Sequence, residues 1–378
     1  MTPSISSNRP AHGPAKLEEE TVLVMQGGGS LGAYECGVYK SLVKHEIRFD
    51  TVAGTSIGAI NAAIIASNDD VQILEDFWLD LAETLTPSFL PDSVRSVLSS
   101  TYSAMYGNPK AFLPKWWSML GAWYTFPYNL PYLYEIEPLK KTLTKYVNFA
   151  RLTPEPGNGA PRLILTCTDL QKGEPVVFDS KHANIDVDHV AACTGFPFYG
   201  IAWTHKDGRY LWDGSLLNNT PLREAINASP ILDKIVYIVN LFPHVQEELP
   251  RSMSEAWHRA RDILYIDKTD QNVRMSRMMT RHLRLLREMY DVLDRGRFDD
   301  NLKTRLHQIR SEYHKLCHER GALIKDIIRI ERKEESQFLF EDADFSIATI
   351  RKLIKQGEQE ADAILAKRAG SKENELRP

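Results

Sequence analysis

The sequence predicts an α/β fold, a three-layer α/β/α sandwich on a mainly parallel central sheet, with a helical C-terminal region. Three observations carry this expectation. The apolar run Thr21-Val22-Leu23-Val24-Met25 is followed by Gly27-Gly28-Gly29-Ser30-Leu31-Gly32 and then by helical periodicity. A second extended stretch, Phe49–Ala53, runs into Gly54-Thr55-Ser56-Ile57-Gly58 and again into a helix. Strands that alternate with helices through short turns pair in parallel, with helices on both faces. At 378 residues the chain can bury one large core and carry an appended region.

Tyr34, Val38, Leu42 and His45 recur at helical spacing and predict a first helix over about 33–45. The segment from Ile57 to Ala66 is small and apolar all round, as in a helix buried beneath a site at the centre of a sheet. Residues 71–85 read as helix. Proline and aromatic residues then dominate about 86–135, including Trp116, Trp117, Trp123, Tyr124, Phe126, Tyr128, Tyr132 and Tyr134. This insertion either packs as core under a long loop or forms a cap that rims a pocket and touches lipid headgroups. The sheet resumes at Pro161–Leu170, and a turn at 171–174 leads into Pro175–Phe178 as a hairpin. His189–Cys193 reads as a short buried helix, Tyr210–Asp213 as a strand ending at an acid, and Lys234–Leu241 as a buried strand. Arg251–Lys333 reads as helical and holds twenty basic against thirteen acidic residues. Ile347, Ile350, Ile354, Ala361, Ile364 and Leu365 predict a final amphipathic helix docked on the core. The expected organisation is a flexible tail at 1–20, a catalytic domain at 21–250 with its cap, and a helical region at 251–378.

A formal charge of −4 and a pI near 6.3 argue against a nucleic-acid partner. Cys36, Cys167, Cys193 and Cys317 have neither CxxC nor zinc-ligand spacing, so they read as isolated buried thiols of a reducing cytosol. Residues 1–20 hold no apolar signal region, and no apolar run is long enough to span a bilayer. The expected location is cytoplasmic, with peripheral membrane contact. The arginine-rich helices pack on the core or on a second copy of the chain, or they face anionic lipid.

Ser56 lies in Gly-x-Ser-x-Gly between a strand and a helix, which fits a nucleophile elbow. Gly54 and Gly58 permit the tight turn, and the helix N-terminus adds free N–H groups, with Ile57 the nearest. Gly27, Gly29 and Gly32 also satisfy the dinucleotide pattern G-x-G-x-x-G. That pattern needs an acid at the end of the second strand, and Asp50 stands at its start instead. The glycines therefore read as an anion nest, with the N–H groups of Gly28 and Gly29, and Gly27 beside them, holding an oxyanion. Asp213, followed by Gly214, presents a carboxylate at the sheet edge where both turns lie. A turn-forming aspartate is the plainer reading of that residue. His244 satisfies the order serine, acid, histidine, but sits in no recognisable motif. His182, His189 and His205 sit in none either.

Gly27-Gly28-Gly29-x-x-Gly32, Gly54-x-Ser56-x-Gly58, Asp213-Gly214 and the block Ala191–Pro197 together resemble the signatures of patatin-like phospholipases, in order and spacing, over about residues 21–245. The resemblance implies a three-layer fold, a Ser56–Asp213 dyad in place of a triad, and hydrolysis of lipid acyl esters through an acyl-enzyme. It assigns Gly32, Gly54, Gly58 and Gly214 supporting places. It implies a phospholipase A or lipid acyl hydrolase without metal or organic cofactor. Short-chain esters or storage polyesters are the alternative substrates, and a lipid-binding module with little turnover is the alternative class. Two departures stand out: Leu31 occupies a position often basic in the family, and Ser215 replaces a Gly or Ala. The arginine-rich extension resembles the C-terminal region of a bacterial subgroup.

Overall fold

The computed structural model describes residues 19–83, 90–115, 131–154, 159–229, 233–246, 248–266, 268–294, 300–320, 324–334 and 341–375. Strand β1 (Glu19–Met25) passes through the glycine turn into α1 (Gly32–Lys44), and β2 (Thr51–Thr55) into α2 (Ile57–Ser67). Next come α3 (Gln72–Leu81), α4 (Asp92–Tyr106), a two-residue ribbon of β3 (Leu113–Pro114) and β4 (Tyr134–Glu135), and α5 (Glu137–Tyr146). The hairpin β5 (Arg162–Asp169) and β6 (Glu174–Asp179) precedes α6 (Val187–Ala192), β7 (Thr204–Lys206), β8 (Arg209–Asp213), α7 (Leu222–Ala228) and β9 (Asp233–Asn240). The chain continues as α8 (Met253–Tyr265), α9 (Thr269–Asp294), α10 (Asp300–Arg320), β10 (Ile324–Glu331) and α11 (Ile347–Glu375).

Among the described residues the main sheet has eight strands in the order β10-β9-β1-β2-β5-β8-β7, with β6 also on β5. The run β10-β9-β1-β2-β5 is parallel throughout, and β6, β7 and β8 join antiparallel. Side chains alternate along β1, so Leu23 and Met25 enter one core with α1, α2, α3 and α11. Val22 and Val24 enter the other, with Leu222 and Ala225 of α7 and Val273 of α9. Every residue of α2 is buried, as its mostly apolar sequence requires, and the amide of its Asn61 is satisfied by Gly32, Glu35 and Trp78.

One register places the site. Strand β2 occupies an edge of β5 from Thr51↔Arg162 to Thr55↔Thr166, and β6 runs along the opposite edge. Strand β8 takes up the first edge where β2 leaves it, pairing Cys167 with Asp213. Thr55 and Asp213 thus face successive residues of β5, and the acid is delivered beside the turn that starts at Ser56.

Four sequence expectations need comment. Arg251–Lys333 is not helical throughout, because Ile324–Glu331 is the strand β10 at the end of the sheet. Its Lys325, Asp326 and Arg329 mask the isoleucine pattern, and pairing with β9 decides the conformation. Cys167 and Cys193 are not isolated thiols: β5 and the end of α6 bring their sulfurs to 2.9 Å. The final helix does dock on the core. Helix α11 crosses α1 where Gly37 and Gly357 meet backbone to backbone, and a Cβ on Gly357 would overlap the Tyr34 carbonyl. Tyr34 O–H donates to Glu360 at 2.8 Å and Ser41 O–H to Asp362 at 2.6 Å across the same interface. Of the aromatic cap, Trp116, Trp117, Trp123, Tyr124, Phe126 and Tyr128 lie outside the described residues. Tyr132 stacks edge-on against Trp203 at 5.3 Å. Among the described residues no helix is long and apolar enough to cross a membrane.

Candidate active site

Ser56 has φ 55° and ψ −126°, a conformation that a residue with a side chain keeps only when its surroundings hold it. The hold comes from both sides. Ala59 N–H donates to the Ser56 carbonyl at 2.9 Å as α2 begins. The Gly54 backbone lies against Gly58, while Gly58 lies so close to β1 that a Cβ there would be 2.6 Å from the Met25 carbonyl. The strained turn presents Ser56 to a cavity at the carboxyl edge of the sheet.

Asp213 is pinned along its backbone. Its N–H donates to the Gly195 carbonyl and its carbonyl accepts from Thr168 Oγ1, both at 3.0 Å. Gly214 follows against the Thr166 carbonyl, which a Cβ would approach to 2.5 Å. The carboxylate is fully buried. Oδ1 accepts from Ser215 N–H at 2.8 Å, and Oδ2 makes no hydrogen bond of ordinary length within the described protein. Burial pushes the Asp213 carboxyl up to about 6, against the opposing pull of the Ser56 hydroxyl and of Ser215. The carboxylate is thus within reach of the Ser56 hydroxyl.

The glycine turn interlocks with the serine turn. A Cβ on Gly27 would lie 2.9 Å from Ser56 Cβ, and one on Gly32 would lie 2.6 Å from Ile57 Cγ1. Gly29 has φ +57° and lies against the Asp342 carbonyl, so a side chain there is strained by conformation and excluded by space. Among the described residues the N–H groups of Gly28, Gly29 and Ile57 have no acceptor. Gly27 differs from its place in the sequence reading: its N–H donates to the Asn219 carbonyl at 3.2 Å and is not free for an oxyanion. Leu31 points into the core beneath the turn and does not line the cavity, so a basic side chain at that position would have to be buried.

Two residues that the sequence does not single out hold this loop. Gln26 is fully buried; its Nε2 donates to Thr220 Oγ1 and to the Tyr265 carbonyl, and its Oε1 accepts from Leu241 N–H at 2.7 Å. Asn219 donates to the Gly27 carbonyl at 3.0 Å and to the Tyr265 carbonyl at 3.1 Å. The histidines fall elsewhere. His244 lies 3.3 Å from the Glu331 carboxylate and does not line the cavity, nor do His182, His189 or His205. Asp50 accepts from Thr21 N–H at 2.8 Å at the amino end of β2, the end opposite Ser56, and so does not stand beside the glycine turn.

The cavity has a volume of about 480 Å³. Gly28, Gly29, Ser56 and Ile57 form its polar end, and Leu81, Phe112, Leu133, Phe196, Ile201 and Phe345 are among the residues of its apolar wall. A nucleophile, a buried base and unpaired N–H donors at one end of an apolar cavity can support acyl transfer.

The family described as Patatin-like phospholipase matches residues 23–226, more than half of the chain. The chain belongs to the patatin-like phospholipase family. Patatin-like protein 4 of Arabidopsis thaliana is 26% identical over 180 residues, covering 44% of this patatin-like chain and 38% of that protein. Lysophospholipase nte1 of Aspergillus terreus is 47% identical over 49 residues, 13% of this chain and 3% of that one. Triacylglycerol lipase SDP1L of Arabidopsis thaliana is 40% identical over 47 residues, 12% and 6% respectively. The matches thus span well under half of the length of these relatives. Among solved structures, VipD from Legionella pneumophila aligns at a TM-score of 0.36 and 12% identity over 93% of this chain and 67% of that one. ExoU in its complex with SpcU from Pseudomonas aeruginosa aligns at 0.33 and 13% identity, over 93% and 52%.

Proposed function

We propose that this patatin-like protein is a serine acyl-ester hydrolase working through a Ser56–Asp213 dyad, with lipid acyl esters of the phospholipase A class as substrates. The observation that carries the reading is the buried Asp213 carboxylate beside a strained Ser56, which lies at the polar end of an apolar cavity. Asp213 takes the hydroxyl proton as Ser56 Oγ attacks the ester carbonyl. The oxyanion accepts hydrogen bonds from Gly28 and Gly29 N–H, with Ile57 N–H at the positive end of α2. Collapse expels the alcohol, which leaves with the proton held by Asp213. A water then gives its proton to Asp213 and attacks the acyl-serine; collapse releases the fatty acid as Asp213 returns that proton to Ser56 Oγ. The cavity accepts the acyl chain. The lipase and lysophospholipase names among the relatives support acyl-ester chemistry and differ in headgroup.

Ser56→Ala and Asp213→Asn are each expected to lower hydrolysis of a soluble nitrophenyl ester and of phospholipid vesicles by about a thousandfold or more. A serine-directed fluorophosphonate is expected to label Ser56 in the native protein. Full activity in Asp213→Asn combined with loss in His244→Ala would replace the dyad by a triad. Absence of labelling and of turnover in the native protein would leave a lipid-binding module instead. Peripheral membrane contact belongs to the same proposal. Phe198, at the cavity rim, is 79% exposed, and Met253, Trp257 and Leu264 form an exposed apolar stripe on α8 ahead of the arginine-rich α9. Sedimentation with anionic vesicles that weakens with salt is expected, and equal sedimentation with neutral vesicles would remove the electrostatic part.

A further inference from the structure

The glycine turn is built from the N-terminal part of the chain, but its outer side rests on residues more than 300 positions later. Ser30 O–H donates to the Glu341 carbonyl at 3.0 Å, a separation of 311 residues, and the Asp342 carbonyl lies against the Cα of Gly29. Asp342 lines the cavity and is 6% exposed. One carboxylate oxygen accepts from Arg261 of α8 at 2.8 Å, and the other accepts from the Tyr199 hydroxyl on the cavity wall. Its neighbour Glu341 is held in turn: Arg332 lies 2.6 Å from Glu341 Oε1, and His258 Nε2 lies 3.3 Å from Oε2. Arg332 also donates to the Leu241 carbonyl at 2.9 Å, next to the N–H groups that Gln26 holds under the turn. Residues 341–342 are thus anchored by the helix α8, the end of β10 and the cavity wall, and they press on the backbone whose N–H groups are the free donors.

From this geometry we propose that Asp342 is a positioning residue for the oxyanion turn, fixing the Gly28 and Gly29 donors from the C-terminal region. The proposal rests on the acyl-hydrolase reading of the site. Asp342 has its carboxylate engaged by Tyr199 and Arg261. It acts through Gly29, whose left-handed backbone has no side chain of its own to resist displacement, while Arg261 and Tyr199 fix where the Asp342 carbonyl stands. Donors that bind only the developing oxyanion affect the transition state more than the bound ester, so a loosened turn lowers kcat with little change in KM.

The test uses the full chain, its Asp342→Ala and Asp342→Asn variants, and Ser56→Ala. Hydrolysis of a soluble nitrophenyl ester, hydrogen exchange of the peptide covering residues 26–31, and the thermal midpoint are measured on each. For Asp342→Ala, kcat is expected to fall by about tenfold with KM within about twofold, and amide exchange in the turn to quicken several-fold. Asp342→Asn, which keeps acceptor capacity but loses the charge facing Arg261, is expected to lie between. Unchanged exchange and unchanged kcat in the folded variants overturn the proposal, as does a fall in thermal midpoint without either change. Native activity equal to that of Ser56→Ala overturns the hydrolase reading instead, and the exchange data then still report whether Asp342 holds the turn.

Discussion

A carboxylate with no exposed surface is a better base and a less stable ion than one in water, and Asp213 is both. Its folded-state value of about 6 lies above the ordinary 3.8, because burial disfavours the charge more than Ser56 and Ser215 relieve it. Two consequences run in opposite directions. The base must be ionised to accept the Ser56 proton, so kcat/KM is expected to rise with pH and to be half-maximal near about pH 6. The ionised form also weakens the fold. The penalty is absent below the unfolded value, grows between about pH 4 and 6, and then stays constant at roughly 3 kcal/mol. Asp213→Asn is therefore expected to unfold several degrees above the native protein at about pH 7.5, with the difference vanishing near pH 4. Equal midpoints at both pH values would show that Asp213 is not a strained ion. The places of Ser56 and Asp213 were legible in the sequence because a hydroxyl and an acid beside glycines stand at the ends of apolar strand patterns. Gln26 and Asn219 were not, because each hydrogen-bonds backbone far along the chain, 239 positions from Gln26 to the Tyr265 carbonyl and 192 from Asn219 to that of Gly27.

Elements were readable where one local pattern decides them. Helix α2, small and mostly apolar in sequence, is buried on every side. Strand β10 defied the same reading because Lys325, Asp326 and Arg329 interrupt its isoleucines. Two of these charges are spent at the sheet's end, Lys325 on Glu19 at 2.5 Å and Arg329 on Asp270 at 2.6 Å. The amphipathic pattern of α11 signalled docking but not its partner, since the contact with α1 depends on two glycines 320 positions apart. At this crossing the helices touch through their backbones, so even a methyl group has no space. Gly357→Ala is expected to lower stability by about 1–3 kcal/mol in urea unfolding, the usual range for overpacking, despite alanine's better helix propensity. A neutral or stabilising effect would mean that α11 lies farther from α1 than the structure places it.

At the scale of the molecule, the C-terminal region differs from the rest in sequence character but shares its sheet and its buried charges. The arginine-rich stretch suggested a wholly helical addition packed on the core or on a second copy, whereas β10 extends the parallel sheet and residues 341–342 reach the glycine turn. A buried cluster joins these parts. His258 is flanked by Arg261 and Asp262 of its own helix, by Arg332 and Glu334 beyond β10, and by Glu341. Burial opposes the charge on His258, as does Arg261 at 2.9 Å from Nε2, but Glu334 and Glu341 outweigh them and raise the imidazole to about 9, which favours the cationic ring. A histidine whose folded value exceeds its ordinary 6.5 adds stability that is fully present below 6.5 and is lost as pH rises through about 9. Loss of that proton leaves four carboxylates, counting Asp342, against two guanidinium groups. Urea unfolding at about pH 6, 8 and 10 is expected to show the native protein losing more stability across this range than His258→Gln, which carries no proton to lose. Parallel pH dependence in the two proteins would show that His258 is neutral in the fold and that the cluster is held by its arginines alone. If the curves do converge at high pH, ester hydrolysis at low substrate concentration should fall over the same interval, because the segment that the cluster anchors bears directly on Gly29.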